Sequence, residues 1–599
     1  MNFHSEKKLP FNSLPWRRLF RFVNLRGKHV SVMIALMILV AAIEVLQPFI
    51  VGWLVDRVII PENFEYMYLF VIIFGALGII QAANIFAFIV IAGKMEVGIC
   101  YDIRKEGFKR LQELSFSYYD RTPTGWIMAR MTSDITKLGD VVAWGLVDIS
   151  WGLAYMLIMA VTMFVVNFRL AMVSLSVLPL LVIMALWFQK KLLSGYRRIR
   201  SVNSRLSAGY SEGIDGARTT KTLVREKRST AEFEKIAGTM RQRTVRTATV
   251  SAFYLPAVLT FSAVGTALAL WRGGNALLAG TGITYGALVS FVFATAGFFE
   301  PVMELSRIFA DLQYAQASAE RVLSLLEEEP DIRDAGTLDV SESSLSGIKG
   351  TVEFDSVDFQ YRIGETVLYD FNLKVRAGET LALVGESGAG KSTVVNLLCR
   401  FYEPTRGRIL IDGIDYRKRS QAWLQSSLGY VLQTPHLFNG SVMENIRYGR
   451  LEASDNEVIE AAKLVGAHHF ILNLLDGYAS NVGTLGAKLS VGEKQLISFA
   501  RAILADPAIF VLDEATSSVD IQTEERIRKA INRVLKRRTS FVIAHRLSTV
   551  READRIVVLS KGRIIEEGSH ETLSRRRGAY WELYTRQLRL ENEAKLLES

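Results

Sequence analysis

Cysteine is almost missing: Cys100 and Cys399 are the two in 599 residues, and neither belongs to a ligand cluster. A disulfide framework and a thiolate metal site are therefore not expected, and both thiols should be reduced. Of the seven histidines, the six other than His545, including the adjacent pair His468 and His469, show no metal-ligand spacing. The chain has no internal repeat and no low-complexity tract. Its first long apolar run lacks a small-residue cleavage pattern, so a transmembrane helix is expected there rather than a cleavable signal peptide. Half of the residues are hydrophobic and 22% are charged, with a mean hydropathy of +0.20. That is too apolar for an ordinary soluble enzyme and too charged for a wholly embedded protein, so a mixed architecture is expected. A net charge of +10 fits either a nucleic-acid partner or basic cytoplasmic loops, and its placement decides between them.

Apolar segments near 30–55, 66–92, 141–166, 168–189, 251–272 and 284–309 each reach the ~20 residues that a helix needs to cross a bilayer. Lys7, Lys8, Arg17, Arg18, Arg21, Arg26 and Lys28 precede the first, whereas the 56–65 connection holds only Arg57. The N-terminus is therefore expected on the cytoplasmic side. LPWRRLFRFV, 14–23, suits a short interfacial helix. The 93–140 and 190–250 stretches are long, charged and helix-prone, which places long connections inside and short ones outside. After the sixth span the helical pattern runs to EEEP, a boundary signal. From Gly350 the composition is that of a globular α/β protein: TVEFDSVDFQ alternates like a half-buried strand, and ETLALVG is a short apolar run ending in glycine. The expected division is a cytoplasmic N-terminus at 1–29, a membrane domain at 30–325, a linker at 326–349, a soluble domain at 350–585 and a tail at 586–599. The charge of that tail suits a solvated helix, and no nucleic-acid partner is expected.

GESGAGKST follows the apolar strand and opens the helical TVVNLLCRFY, matching a phosphate loop in its required context. Across Gly385, Glu386, Ser387, Gly388, Ala389, Gly390, Lys391, Ser392 and Thr393, the glycines let backbone N–H groups wrap phosphates. Lys391 supplies a point charge, and the Ser392 hydroxyl suits Mg²⁺. AIFVLDE, 508–514, ends a buried strand in two carboxylates. Asp513 suits the Mg²⁺ shell and Glu514 a general base acting on water. His545 in SFVIAHRL ends another apolar strand; alone it fits a core histidine as well as a γ-phosphate contact.

With these motifs in this order, the chain resembles an ATP-binding cassette exporter half-transporter over nearly its whole length. The resemblance implies a six-helix transmembrane domain with long cytoplasmic helical extensions, followed by an α/β P-loop ATP-binding cassette domain. It implies ATP and Mg²⁺ as cofactors, and ATP hydrolysis coupled to export across the cell membrane. It also implies that Tyr361 in DFQYRIGE stacks on adenine and that Gln433 in YVLQTPHLF contacts Mg²⁺ and the membrane domain. Asp520 in ATSSVD would be the D-loop aspartate facing the partner. Segments near 117–134 and 211–227, broken at Pro123 and Gly125 and at Gly213 and Gly216, resemble the regions that carry coupling helices, and they also read as ordinary turns.

The family signature LSGGQ appears here as LSVGE, Leu489 to Glu493. In the family this helix start contacts the γ-phosphate held by the opposite subunit. Ser490 and Gly492 are retained, but Val491 adds a branched Cβ where backbone must approach phosphate, and Glu493 brings negative charge towards a polyanion. At ~8 Å and an effective dielectric of ~20, two unit charges repel by roughly 2 kcal/mol. Upstream, SNVGTLG at 480–486 has Thr484 where the family has glutamate. These departures resemble one chain of a heterodimer with one degenerate site, although a homodimer with two active sites is the alternative.

The sequence says little about cargo beyond an amphipathic or hydrophobic drug, lipid or peptide. Glu44, Asp148 and Glu300 lie in or near apolar spans, with Trp144, Trp151, Phe298 and Phe299 close in sequence to Asp148 or Glu300. They would suit a cationic amphiphile in a cavity, or else pair with neighbouring helices. An ATP-gated channel or regulator is the other functional class, and Glu514 and His545 favour the pump.

Overall fold

The computed structural model describes residues 13–280, 283–334, 348–362, 364–513, 535, 538–543 and 547–598. Among the described residues, six helical stretches are long and apolar enough to cross a membrane: Gly27–Ile59, Phe64–Glu113, Thr124–Val166, Phe168–Asp215, Glu226–Leu278 and Tyr285–Leu326. Each holds one apolar segment expected from the sequence, and several run on well past the span as charged helix. By its contacts the chain divides into two units, one of residues 1–113 and 122–329 and one of residues 114–121 and 330–599.

In the first unit, the helix Ser13–Asn24 buries Trp16, Leu19, Phe22 and Val23 and leaves Arg17, Arg18 and Arg21 exposed. Asn167 separates two spans by itself: its side chain caps the following helix by accepting from Leu170 N at 3.0 Å, which satisfies one of the donors a helix start leaves bare. The first and last spans approach closely where both carry glycine. A Cβ on Gly52 or Gly286 would strike the other helix's backbone, the small-residue packing that lets helices meet without a hydrophobic drive between them. There Ser290 Oγ donates to Pro48 O at 3.0 Å, and Gly286 N donates to Asp56 Oδ1 at 2.7 Å.

Of the three acids singled out in the sequence, Glu44, Asp148 and Glu300, two are satisfied by other helices of the unit. Glu44 accepts from Trp151 Nε1 at 2.7 Å and Gln81 Nε2 at 3.2 Å, and Asp148 accepts from Arg307 Nη2 at 2.9 Å. For these two the pairing alternative holds. Glu300 is exposed. Asp134 is buried and takes a fork of hydrogen bonds from Arg321 Nε and Nη2, at 2.8 and 2.7 Å, with Ser318 Oγ at 2.8 Å. It joins the helical stretch Thr124–Val166 to the helix Phe299–Leu326.

The second unit holds two sheets. Strands β1 (Val352–Arg362), β2 (Glu365–Val375), β3 (Thr380–Val384), β4 (Arg406–Ile411), β5 (Ile414–Asp415), β6 (Leu428–Val431), β7 (Ile509–Asp513), β8 (Thr539–Ile543), β9 (Arg555–Ser560) and β10 (Arg563–Gly568) divide into an antiparallel sheet of order β2-β1-β4-β5 and a second of order β10-β9-β3-β8-β7-β6. In the second sheet β9, β3, β8, β7 and β6 are parallel and β10 closes one edge antiparallel. β7 and β8 are buried almost throughout, as strands covered on both faces must be. The C-terminal stretch forms the helix Ala579–Glu598.

Candidate functional site

Parallel strands deliver their following loops to one edge of the sheet, and that geometry assembles the site. β3 runs into the glycine loop, β7 ends in Asp513, β8 ends at Ile543, and β6 leads to Gln433. Register fixes the alignment: Leu383 pairs with Ile543, Asp513 with Ile543, and Val431 with Leu512. The loop therefore leaves the sheet two strands from Asp513, with the end of β8 between them. Glu514, Asp520 and His545 lie outside the described residues.

Gly385, Gly388 and Gly390 have φ of 155°, 80° and 104°, conformations that a side chain resists. Gly390 is the left-handed cap of the helix Lys391–Leu398, so its backbone turns straight into that helix's N-terminus. Glu386, Ser387, Gly388 and Ser392 are exposed, whereas Ala389, Lys391 and Thr393 are buried. Lys391 Nζ donates to the carbonyls of Gly385 at 2.7 Å and Glu386 at 2.9 Å, bracing the loop from inside. Burial pushes the pKa of Lys391 down, and the nearby Asp513 carboxylate opposes that shift. Lysine and aspartate thus lie within electrostatic reach at one end of the sheet. Ser392, Gln433 and Asp513 offer a hydroxyl, an amide and a carboxylate, hard oxygen donors of the kind Mg²⁺ takes.

Tyr361, near the end of β1, is 43% exposed, so its ring keeps an open face. Its hydroxyl shares a hydrogen bond with Thr393 Oγ1 at 3.2 Å and accepts one from Asn396 Nδ2 at 3.3 Å, which ties the ring to the phosphate-loop helix. Two other rings meet it nearly at right angles, Phe359 at 4.8 Å and Tyr402 at 5.0 Å between centroids. Phe401 and Tyr402 are expected from the sequence only as the end of the helical TVVNLLCRFY; the helix stops at Leu398, and the aromatic pair that follows Arg400 is the signal for a separate role.

The signature segment shows which way the Glu493 side chain turns. Ser490 caps the helix Val491–Leu504 in a reciprocal box with Glu493. Glu493 N donates to Ser490 Oγ at 3.3 Å, while Glu493 Oε2 accepts from Ser490 N at 2.8 Å and Ser490 Oγ at 2.9 Å. The carboxylate is turned back on its own helix rather than aimed outward as an isolated charge, and it takes the hydroxyl proton that would otherwise be offered to an anion. Val491 is 46% exposed at the helix start, and Gly492 is buried. The Ser490-x-x-Glu493 spacing is itself a capping-box pattern, legible in the sequence and overlooked there.

Both cysteines are buried and free, and burial lifts the Cys399 thiol to about 12, which leaves it protonated and inert. Among the described residues no group of three or more His, Cys, Asp or Glu side chains could hold a metal. His468 contacts the Tyr478 hydroxyl at 2.9 Å and His570 the Tyr580 hydroxyl at 2.7 Å, both structural contacts.

The ABC transporter transmembrane region model matches residues 30–302, and the ABC transporter model matches residues 368–517. An uncharacterized ABC transporter ATP-binding protein of Bacillus subtilis, YknV, is 36% identical over 95% of this chain and 94% of its own. An ATP-dependent lipid A-core flippase of Syntrophus aciditrophicus is 33% identical over 96% of this chain and 94% of its own. The structure of a bacterial Atm1-family ABC exporter with ATP bound superposes with a TM-score of 0.78 at 28% identity, covering 94% of this chain and 98% of that one. Six spans, a phosphate loop at the edge of a parallel sheet and these matches together show that the chain belongs to the ATP-binding cassette transporter family, as an exporter half-transporter: a multi-pass membrane protein whose cytoplasmic domain binds and hydrolyses ATP to drive transport.

Proposed function

We propose that the chain exports an amphipathic or hydrophobic molecule, a drug, lipid or peptide, by alternating access, and that it does so as one half of a heterodimer with a degenerate nucleotide site. In this reading Tyr361 stacks on the base, and the loop from Gly385 to Thr393 wraps the phosphates with Lys391 supplying positive charge. Ser392, Gln433 and Asp513 would hold Mg²⁺, which offsets phosphate charge when bound. Glu514 polarises the attacking water, His545 steadies the γ-phosphate and the base, and Asp520 faces the partner across the dimer. Ser490 and Gly492 belong to the other composite site, where they face nucleotide held by the partner. Relatives that include a lipid A-core flippase support an apolar cargo, and the exposed intramembrane Glu300 leaves room for a cationic one.

The observation that carries the asymmetric reading is the pairing, in one chain, of a braced phosphate loop with a signature serine already held by its own Glu493. The pump reading is tested with Glu514→Gln in the full-length protein. Turnover should fall by about 100-fold or more, the scale of losing a general base, while Mg-ATP still binds and transport stops. Transport that survives the change would point to a nucleotide-gated channel instead.

A further inference from the structure

The segment Leu114–Arg121, which interrupts the chain between two helices of the first unit, belongs by its contacts to the second. Its helix Phe116–Arg121 rests on two consecutive rings. Phe116 lies 4.2 Å from Phe401 between centroids, and the Tyr402 hydroxyl donates to Asp120. Ser117 and Arg121 both bind Asp331, the arginine at 2.8 Å, and Ile332 N donates to Ser115 Oγ at 3.1 Å.

From Phe401 and Tyr402 the contacts divide. Phe401 meets Tyr430 edge-on at 5.7 Å, and Tyr430 stands in β6, three residues before Gln433. Tyr402 meets Tyr361 edge-on at 5.0 Å, and Tyr361 is joined through its hydroxyl to Thr393. The fork is anchored by Arg400, which is 2% exposed and has a φ of 53°. Its guanidinium donates to the carbonyls of Tyr416 at 3.2 Å and Arg419 at 2.8 Å and to Glu403 Oε1 at 2.9 Å. These bonds fix the backbone that carries both rings, just past the end of the phosphate-loop helix. Burial and the neighbouring Asp120 carboxylate also hold the Tyr402 phenol well above its usual pKa, so it remains a hydrogen-bond donor at any physiological pH.

We propose that Tyr402 is a positioning residue that links the base-stacking ring of Tyr361 to the helix Phe116–Arg121, so that nucleotide seated on Tyr361 tightens the seating of that helix through the Tyr402–Asp120 hydrogen bond. The proposal rests on the reading of Tyr361 as the base platform. A base laid on the open face of Tyr361 restricts that ring, the edge contact passes the restriction to Tyr402, and the hydroxyl passes it to Asp120. Linkage makes the effect reciprocal: whatever seats the helix also favours nucleotide.

The test is backbone hydrogen–deuterium exchange on the full-length protein in phospholipid nanodiscs, with and without Mg-AMP-PNP. Nucleotide should slow exchange across residues 114–121 in the unaltered chain. In Tyr402→Phe, which keeps the ring and loses the hydroxyl, most of that response should vanish, and by reciprocity the KM for Mg-ATP should rise, by only about two- to threefold, since the phosphate contacts are untouched. Asp120→Ala, changed at the other end of the bond, should reproduce the loss. A nucleotide response at 114–121 that persists in either variant, or that is absent from the unaltered protein, overturns the proposal. Tyr361→Ala tests the underlying reading separately. Its KM for Mg-ATP should rise about fivefold or more, as loss of a stacking face does, and an unchanged KM would remove the base platform and the link with it.

Discussion

In the proposed reading, Glu493 would weaken an anion site by geometry as well as by repulsion. A carboxylate at the third helical position commonly folds back on the capping serine, and here it holds both the Ser490 amide and its hydroxyl. Glutamine can close the same box without charge, so Glu493→Gln should preserve fold stability. It should raise ATP turnover of the purified chain by about three- to tenfold, in keeping with ~1 kcal/mol recovered at a phosphate contact. Glu493→Asp separates the two causes, because aspartate keeps the charge but is a methylene too short to span the box as well. Faster turnover in the aspartate variant marks sequestration of Ser490 as the cause, and no change there alongside a gain in the glutamine variant marks charge. Steady-state ATPase assays on the three proteins decide. The sequence disclosed the residue type at 493 but not the direction of its side chain, which is why repulsion was the first expectation.

At the scale of elements, the spans and the phosphate loop were legible because each is dictated by a simple physical demand. A bilayer requires an apolar length, and a phosphate requires bare backbone N–H groups at a helix start. Pairings between distant elements were not legible. Asp148 finds Arg307, 159 positions away, and nothing local to either residue announces the other. Asp134 is the clearest case: its buried carboxylate receives a two-pronged bond from Arg321, whose own side chain is 44% exposed, and one from Ser318. Removing the acid leaves Ser318, buried to 2%, without its acceptor and loosens the contact between two membrane-domain helices. Asp134→Ala should cost about 1–3 kcal/mol, less than a fully buried pair because the arginine can turn to water, and Asp134→Asn should cost less because the amide oxygen still accepts. Thermal unfolding in detergent should show the alanine variant melting several degrees lower, and equal melting of all three proteins would deny the pair a structural role.

For the whole molecule, a degenerate signature of the kind proposed would bear on assembly, because the proposed sites are shared between two subunits. A homodimer of this chain would place a self-capped signature opposite both phosphate loops, so both sites would be slow and nothing would offset them. A heterodimer confines the defect to one site and leaves the other to a phosphate loop braced here by Lys391 and a signature supplied by the partner. The two assemblies differ in composition, which can be measured without knowing the cargo. An affinity-tagged copy expressed at native level and drawn from membranes in mild detergent should bring down a second, different half-transporter in equal amount. The pair should hydrolyse ATP about tenfold or more faster than this chain purified alone, since one signature contact is worth roughly one or two charge-assisted hydrogen bonds. Recovery of this chain with itself alone, at full activity, would mean that Glu493 swings away from Ser490 when the subunits close, and the heterodimer reading would be lost.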